Sequence, residues 1–114
     1  MFTHILIATD GSELGQLAVG QGMALARALG AQVTVMTATE PWNSHATSEM
    51  SLAFPVEEYD RIAASNASAV LAGVAEMARK TGVSANAVHV KDKQPAEAIV
   101  HTARQLGCDL IVMS

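Results

Sequence analysis

The stretch Ile5-Leu6-Ile7-Ala8-Thr9-Asp10-Gly11-Ser12 decides the fold. An uncharged, β-prone run ends in an aspartate, a glycine that can turn the chain and a serine suited to capping a helix. An α/β protein carries a polar group to the carboxyl end of a buried strand in this way. Ligands of open parallel sheets bind at those ends, where the strand order reverses. Asp10 is therefore the first candidate for a functional residue.

Outward from this stretch, short β-branched runs alternate with longer helical segments. Strands are expected at 4–9, 32–38, 87–90 and 109–113, and helices from Ser12 to Leu29, over 56–81 and from Pro95 to Leu106. Glycines at 30, 82 and 107 stand where helices commonly stop. On the first helix Leu14, Leu17, Ala18, Leu25 and Leu29 form the expected buried face. On the second, Ile62, Leu71, Val74 and Met77 or Ala78 do so. Strand, helix and strand within about thirty residues read as parallel βαβ crossovers.

Residues 40–55 show no period and mix Ser, Thr, Asn, Pro and His with Trp42 and Phe54. Loops of this length are lids or mobile surface segments, and the sequence leaves both open. The last strand, Leu-Ile-Val-Met in character, is one that a further helix or strand should cover. The expectation is one domain over 1–114, lacking a C-terminal αβ unit.

Composition narrows the function classes. Half of the 114 residues are hydrophobic, 16% are charged and 4% are aromatic, so the core is built from Ala, Val, Leu, Ile and Met. The net charge is −4 with no Lys/Arg cluster, which argues against nucleic-acid binding. The longest uncharged runs, Leu14 to Ala26 with two glutamines and three glycines and Ile62 to Ala75 with two serines and an asparagine, are 13 and 14 residues, too short and polar for a membrane span. No signal-peptide pattern opens the chain, so a cytoplasmic protein is expected. Cys108 is the single cysteine and reads as a small buried hydrophobe rather than a reactive thiol.

Chemical motifs are few. There is no Gly-x-Gly-x-x-Gly after the first strand and no P-loop. Ser12 lacks a nucleophile elbow, and His4, His45, His89 and His101 have no metal-ligand spacing. Asp10 and Asp92 both follow strands, but the acidic pair of a phosphoacceptor domain is missing. Catalytic and metal-binding residues are not expected. Asp10 either completes its turn or accepts hydrogen bonds from sugar hydroxyls or an adenine amine, and the sequence alone does not choose.

Four strings resemble the universal stress protein family: His4-Ile-Leu-Ile-Ala-Thr-Asp-Gly-Ser12, Gly30-Ala-Gln-Val-Thr-Val35, Gln94-Pro-Ala-Glu-Ala-Ile-Val100 and Gly107-Cys-Asp-Leu-Ile-Val-Met113. The resemblance implies a Rossmann-like α/β domain, an open parallel sheet of order 3-2-1-4 with a fifth strand absent from this chain and helices on both faces. It implies a cytoplasmic stress-response protein that binds ATP, with Mg2+, or a related adenine nucleotide, forms a homodimer and acts as a switch rather than a fast enzyme. Slow ATP hydrolysis stays open. Asp10 would then meet ribose or adenine, with Ala8 and Thr9 as floor and the Ala38 backbone against the base. Met113 would close the pocket and Ser114 would begin the phosphate loop.

Two positions depart from the family. Ser114 stands in place of the first glycine of a Gly-x-x-Gly segment that continues the ATP-binding members, and Lys93 replaces a glycine before Pro95. The base-and-sugar half of a site is present without its phosphate half. A dimeric interaction module of the same fold, without nucleotide, is the alternative.

Overall fold

The structure is a computed structural model that describes residues 1–41 and 55–114. The suggested lid over 40–55, and His45 within it, lie almost wholly outside the described residues. The elements follow in the order β1 (His4–Ala8), α1 (Glu13–Leu29), β2 (Gln32–Thr39), α2 (Val56–Thr81), β3 (Ala85–Lys91), α3 (Pro95–Leu106) and β4 (Leu110–Val112). The β3 strand begins two residues earlier than expected, because Ala85 and Asn86 continue the pairing with Val33 and Thr34.

The strands form one parallel sheet in the order β3-β2-β1-β4, as expected. The central strand β1 aligns Ile5 with Val33 of β2 and Leu110 of β4. Alternation in β1 sends Ile5 and Ile7 to one face and Leu6 to the other, and all three are fully buried. On the first face Ile5, Ile7, Val33 and Val35 pack with Val19, Met23 and Ala26 of α1 and Val74 and Ala78 of α2. On the second, Leu6 and Met36 pack with Ala98, Ile99 and Ala103 of α3, with half-buried Cys108 alongside. Helices thus cover both faces. At the outer strand β4, Ile111 stays 39% exposed.

The expected buried face of α1 is corrected. Leu14 and Leu17 are 65% and 61% exposed and Leu25 is also exposed, while the sheet side is Gly15, Ala18, Val19, Gly22, Met23 and Ala26. Only Ala18 and Leu29 of the expected set belong near the core. The reason is proximity: a Cβ on Gly22 would lie 2.6 Å from Ile7 Cδ1. The helix presses so closely on β1 that small residues must face it and the leucines turn outward. On α2, Ile62 is likewise exposed and Ala67 is buried in addition to Val74 and Ala78.

Helix ends agree with their residues. Ser12 caps α1 by accepting the Gly15 N–H at 3.1 Å. Each helix stops at a left-handed glycine, 30, 82 or 107. In the turn before α3 the left-handed residue is Asp92, φ 60°, one position ahead of Lys93. Aspartate tolerates that conformation better than most side chains.

Candidate functional site

The order β3-β2-β1-β4 puts the reversal of strand order between β1 and β4, where a crevice opens beyond the strand ends. A cleft of about 180 Å3 lies there, lined by Ala8, Thr9, Asp10, Met36, Ala38, Pro95, Ile99, Met113 and Ser114. All six residues singled out from the sequence line it. They come from three separate strand ends, at β1, β2 and β4. Met36, Pro95 and Ile99 were not anticipated. Two signals could have found them: Met36 shares the strand face of Ala38, and Ile99 lies one helical turn after Pro95.

The geometry of the first turn is set by its own hydrogen bonds. The Thr9 N–H donates to the Met36 carbonyl at 3.0 Å, extending the β1–β2 ladder by one residue. Thr9, buried, turns its Oγ1 to accept the Gly11 N–H at 3.1 Å. Gly11 has φ 82°, a left-handed conformation that a side chain would strain, and an added Cβ would lie 2.6 Å from Val70 Cγ2. The chain can therefore reverse into α1 only with glycine here.

Ser12 fixes the carboxylate. Its N–H donates to Asp10 Oδ1 at 2.9 Å and its hydroxyl to the same oxygen at 2.5 Å. The Ser12 hydroxyl and backbone N–H, in that order, hold the Asp10 carboxyl below its ordinary value of 3.8. Hydrogen bonds to the ionised form favour that form, so Asp10 is an acceptor at neutral pH. With Oδ1 engaged twice, Oδ2 is the oxygen through which Asp10 can address a ligand.

A second cleft of about 540 Å3 adjoins the first through Asp10, Ala38 and Pro95 and reaches Tyr59 and Asn66 of α2. The Tyr59 hydroxyl donates to the Glu40 carbonyl at 2.8 Å and so ties α2 to the end of β2. Asp10 stands on the border of the two clefts.

The remaining chemistry-bearing groups lie elsewhere. His4 Nε2 is 2.9 Å from Thr34 Oγ1 and His89 Nε2 is 2.6 Å from Thr39 Oγ1, so each is a strand histidine with a hydroxyl partner. Burial, then Lys91, lowers the His89 pKa. Burial, then Asp109, raises that of the Cys108 thiol, which keeps it protonated and weakly nucleophilic at neutral pH. Among the described residues no three His, Cys, Asp or Glu side chains come together to hold a metal ion. Among the described residues Asp10 carries the only side-chain carboxylate lining the 180 Å3 cleft, so these side chains do not fit a magnesium ion held by the protein itself.

Known structures repeat this architecture. The universal stress protein UspA from Lactobacillus plantarum is 22% identical, with a TM-score of 0.76 over 98% of this chain and 76% of that one. A universal stress protein in complex with cAMP is 24% identical, TM-score 0.71, over 97% and 75%. The universal stress protein from Archaeoglobus fulgidus in complex with dAMP is 18% identical, TM-score 0.69, over 99% and 80%. At these identities the likeness concerns the fold. No curated protein sequence matches the chain. The profile of the universal stress protein family matches residues 1–114, and the chain belongs to that family.

Proposed function

We propose that this protein binds an adenine nucleotide in the cleft at the β1–β4 crevice and acts as a stress-response switch, not as an enzyme. The observation that carries the reading is the convergence of Ala8, Thr9, Asp10, Ala38, Met113 and Ser114 on one cleft. In this reading Asp10 Oδ2 accepts a hydrogen bond from a ribose hydroxyl or the adenine amine. The Ala38 backbone meets the base, Ala8 and Thr9 form the floor and Met113, 57% exposed, folds over the opening. Two structural relatives hold adenine nucleotides, cAMP and dAMP, which supports the ligand class. ATP, with Mg2+ carried on its phosphates, belongs to the same class. A longer form with an αβ unit after Ser114 would supply a phosphate loop and a fifth strand for homodimer pairing. The cytoplasm is the proposed compartment. Among the described residues no helix is long and apolar enough to cross a membrane.

Calorimetric titration with AMP tests the site. Saturable binding is expected, and Asp10→Ala is expected to weaken it about tenfold, the equivalent of one charge-assisted hydrogen bond of ~1.5 kcal/mol. Absence of binding at millimolar AMP would overturn the reading. It would favour the alternative, a dimeric interaction module without nucleotide, to which Ser114 in a glycine position lends support.

A further inference from the structure

Helix α1 lacks the charged outer face that a helix lying on a sheet ordinarily turns to water. Its 17 residues carry one acid, Glu13, and one base, Arg27, and the 13 residues between them are uncharged. The outward surface is built from Leu14, Leu17, Gln21, Ala24 and Ala28, all exposed. Their alternating spacing of three and four residues is that of a helix-pairing seam. Helix α3 is different, exposing Glu97, His101 and Arg104 within 12 residues. Loss of charge over a contiguous exposed face marks an interface core rather than free surface.

The seam is graded along its length, with leucines in the first half and alanines in the second. A second copy running antiparallel would set Leu17 against Ala24 and Leu14 against Ala28, large on small, whereas a parallel copy would set like on like. The charges obey the same two-fold. Glu13 and Arg27 stand about 21 Å apart along the helix, and antiparallel pairing brings each to its opposite on the other copy. Among the described residues neither has an ion-pair partner within its own chain.

Gly20, midway between them, points the same way. A Cβ on Gly15 or Gly22 would lie 2.6 Å from its nearest neighbour, so those two glycines are required inside the chain. One on Gly20 would lie 3.7 Å from Met77 Sδ, an ordinary contact. Glycine is unfavourable inside a helix, and close approach of a second backbone gives it a use there. Beside it a cleft of about 610 Å3, lined by Leu17, Gly20, Gln21 and Met77 among others, leaves room for side chains of a crossing helix.

We propose that the outer face of α1 pairs two copies of this chain, antiparallel about a two-fold axis near Gly20 and Gln21. The seam lies on the sheet face opposite α3 and no residue of α1 lines the Asp10 cleft. A right-handed crossover to a strand beyond β4 would run on the α3 face, so the seam is separate from pairing through a fifth strand. One helix wide, the contact measures about 20 Å by 10 Å. That is small for a specific interface, and dissociation is expected at roughly tens to hundreds of micromolar.

Sedimentation equilibrium of the 114-residue chain, from ~10 μM to ~1 mM, tests the pairing by mass action. A monomer–dimer equilibrium is expected. Leu17→Glu, at an exposed position, should leave the urea midpoint of the fold nearly unchanged and weaken dimerisation at least ~10-fold. At low salt Glu13→Arg and Arg27→Glu should each weaken it, and the double variant should return to within ~3-fold of the wild type. A chain that stays monomeric to ~1 mM would overturn the proposal. So would a dimer that survives Leu17→Glu and is lost in Ile111→Lys on the outer strand β4, since the sheet edge would then be the contact. A double variant as weak as either single one would overturn it too, because the copies would not be antiparallel.

Discussion

At the scale of single residues, Ser12 does two jobs with one side chain. Its hydroxyl oxygen accepts the Gly15 N–H while its O–H donates to Asp10 Oδ1, so helix capping and carboxylate orientation are coupled. Ser12→Ala is expected to lower stability by about 1 kcal/mol through loss of the cap, read from the shift of a denaturation midpoint. It is also expected to change the pH profile of ligand binding. Asp10 is held below 3.8 chiefly by Ser12, so binding through its ionised form should persist as pH falls past 3.8 and fail only as it passes the lowered value. In Ser12→Ala the fall should move up toward 3.8. Identical profiles in the two proteins would refute the coupling. The Asp-Gly-Ser string revealed in the sequence that a carboxylate sits at a strand end. It could not reveal which of its oxygens remains available, because that depends on a rotamer and two hydrogen bonds.

At the scale of elements, α1 shows where pattern reading stops. Its ends were legible, since a capping serine and a terminating glycine act through local backbone chemistry. Its buried face was not. Hydrophobic periodicity favoured the leucines, yet the contact with β1 requires small residues: a Cβ on Gly15 would lie 2.6 Å from Thr9 Oγ1 and 2.8 Å from Asp10 Oδ1, and one on Gly22 2.8 Å from Ile7 Cγ1. Two substitutions of the same kind should therefore act oppositely. Gly22→Ala inserts a methyl group against fully buried Ile7, and overpacking of about 1–3 kcal/mol outweighs the ~1 kcal/mol that alanine gains in a helix. Gly73→Ala on α2 meets nothing within 4 Å and should stabilise by roughly 0.5–1 kcal/mol. Urea midpoints that moved the same way would show that helix propensity, not the approach of α1 to the sheet, governs both sites.

At the scale of the whole molecule, the strand order was legible because family strings lay at β1, β2, α3 and β4 and parallel crossovers restrict the topologies. The tie between the ends of the chain was not, since nothing local in a Gly-Cys-Asp string announces a partner 106 residues away. Asp109 Oδ2 accepts the Thr3 N–H at 2.9 Å and the Thr3 hydroxyl at 3.2 Å, and Oδ1 accepts the His4 N–H at 3.0 Å. The Asp109 N–H in turn donates to the His4 carbonyl. One carboxylate thus sets β4 beside β1 just before the ladder Ile5–Leu110 begins, and that adjacency is what creates the crevice at the other end. The His4 and Thr3 N–H groups lower the Asp109 pKa below 3.8. The unfolded chain therefore takes up its proton first as pH falls, so the stabilisation is complete above 3.8 and is lost as pH drops through the folded value. Asp109→Ala should melt at a lower temperature than the wild type at pH 7, and the difference should shrink as acid protonates the wild-type carboxylate. Thermal scans in which the difference stays constant down to pH ~2 would show that Asp109 acts through packing and not through its charge.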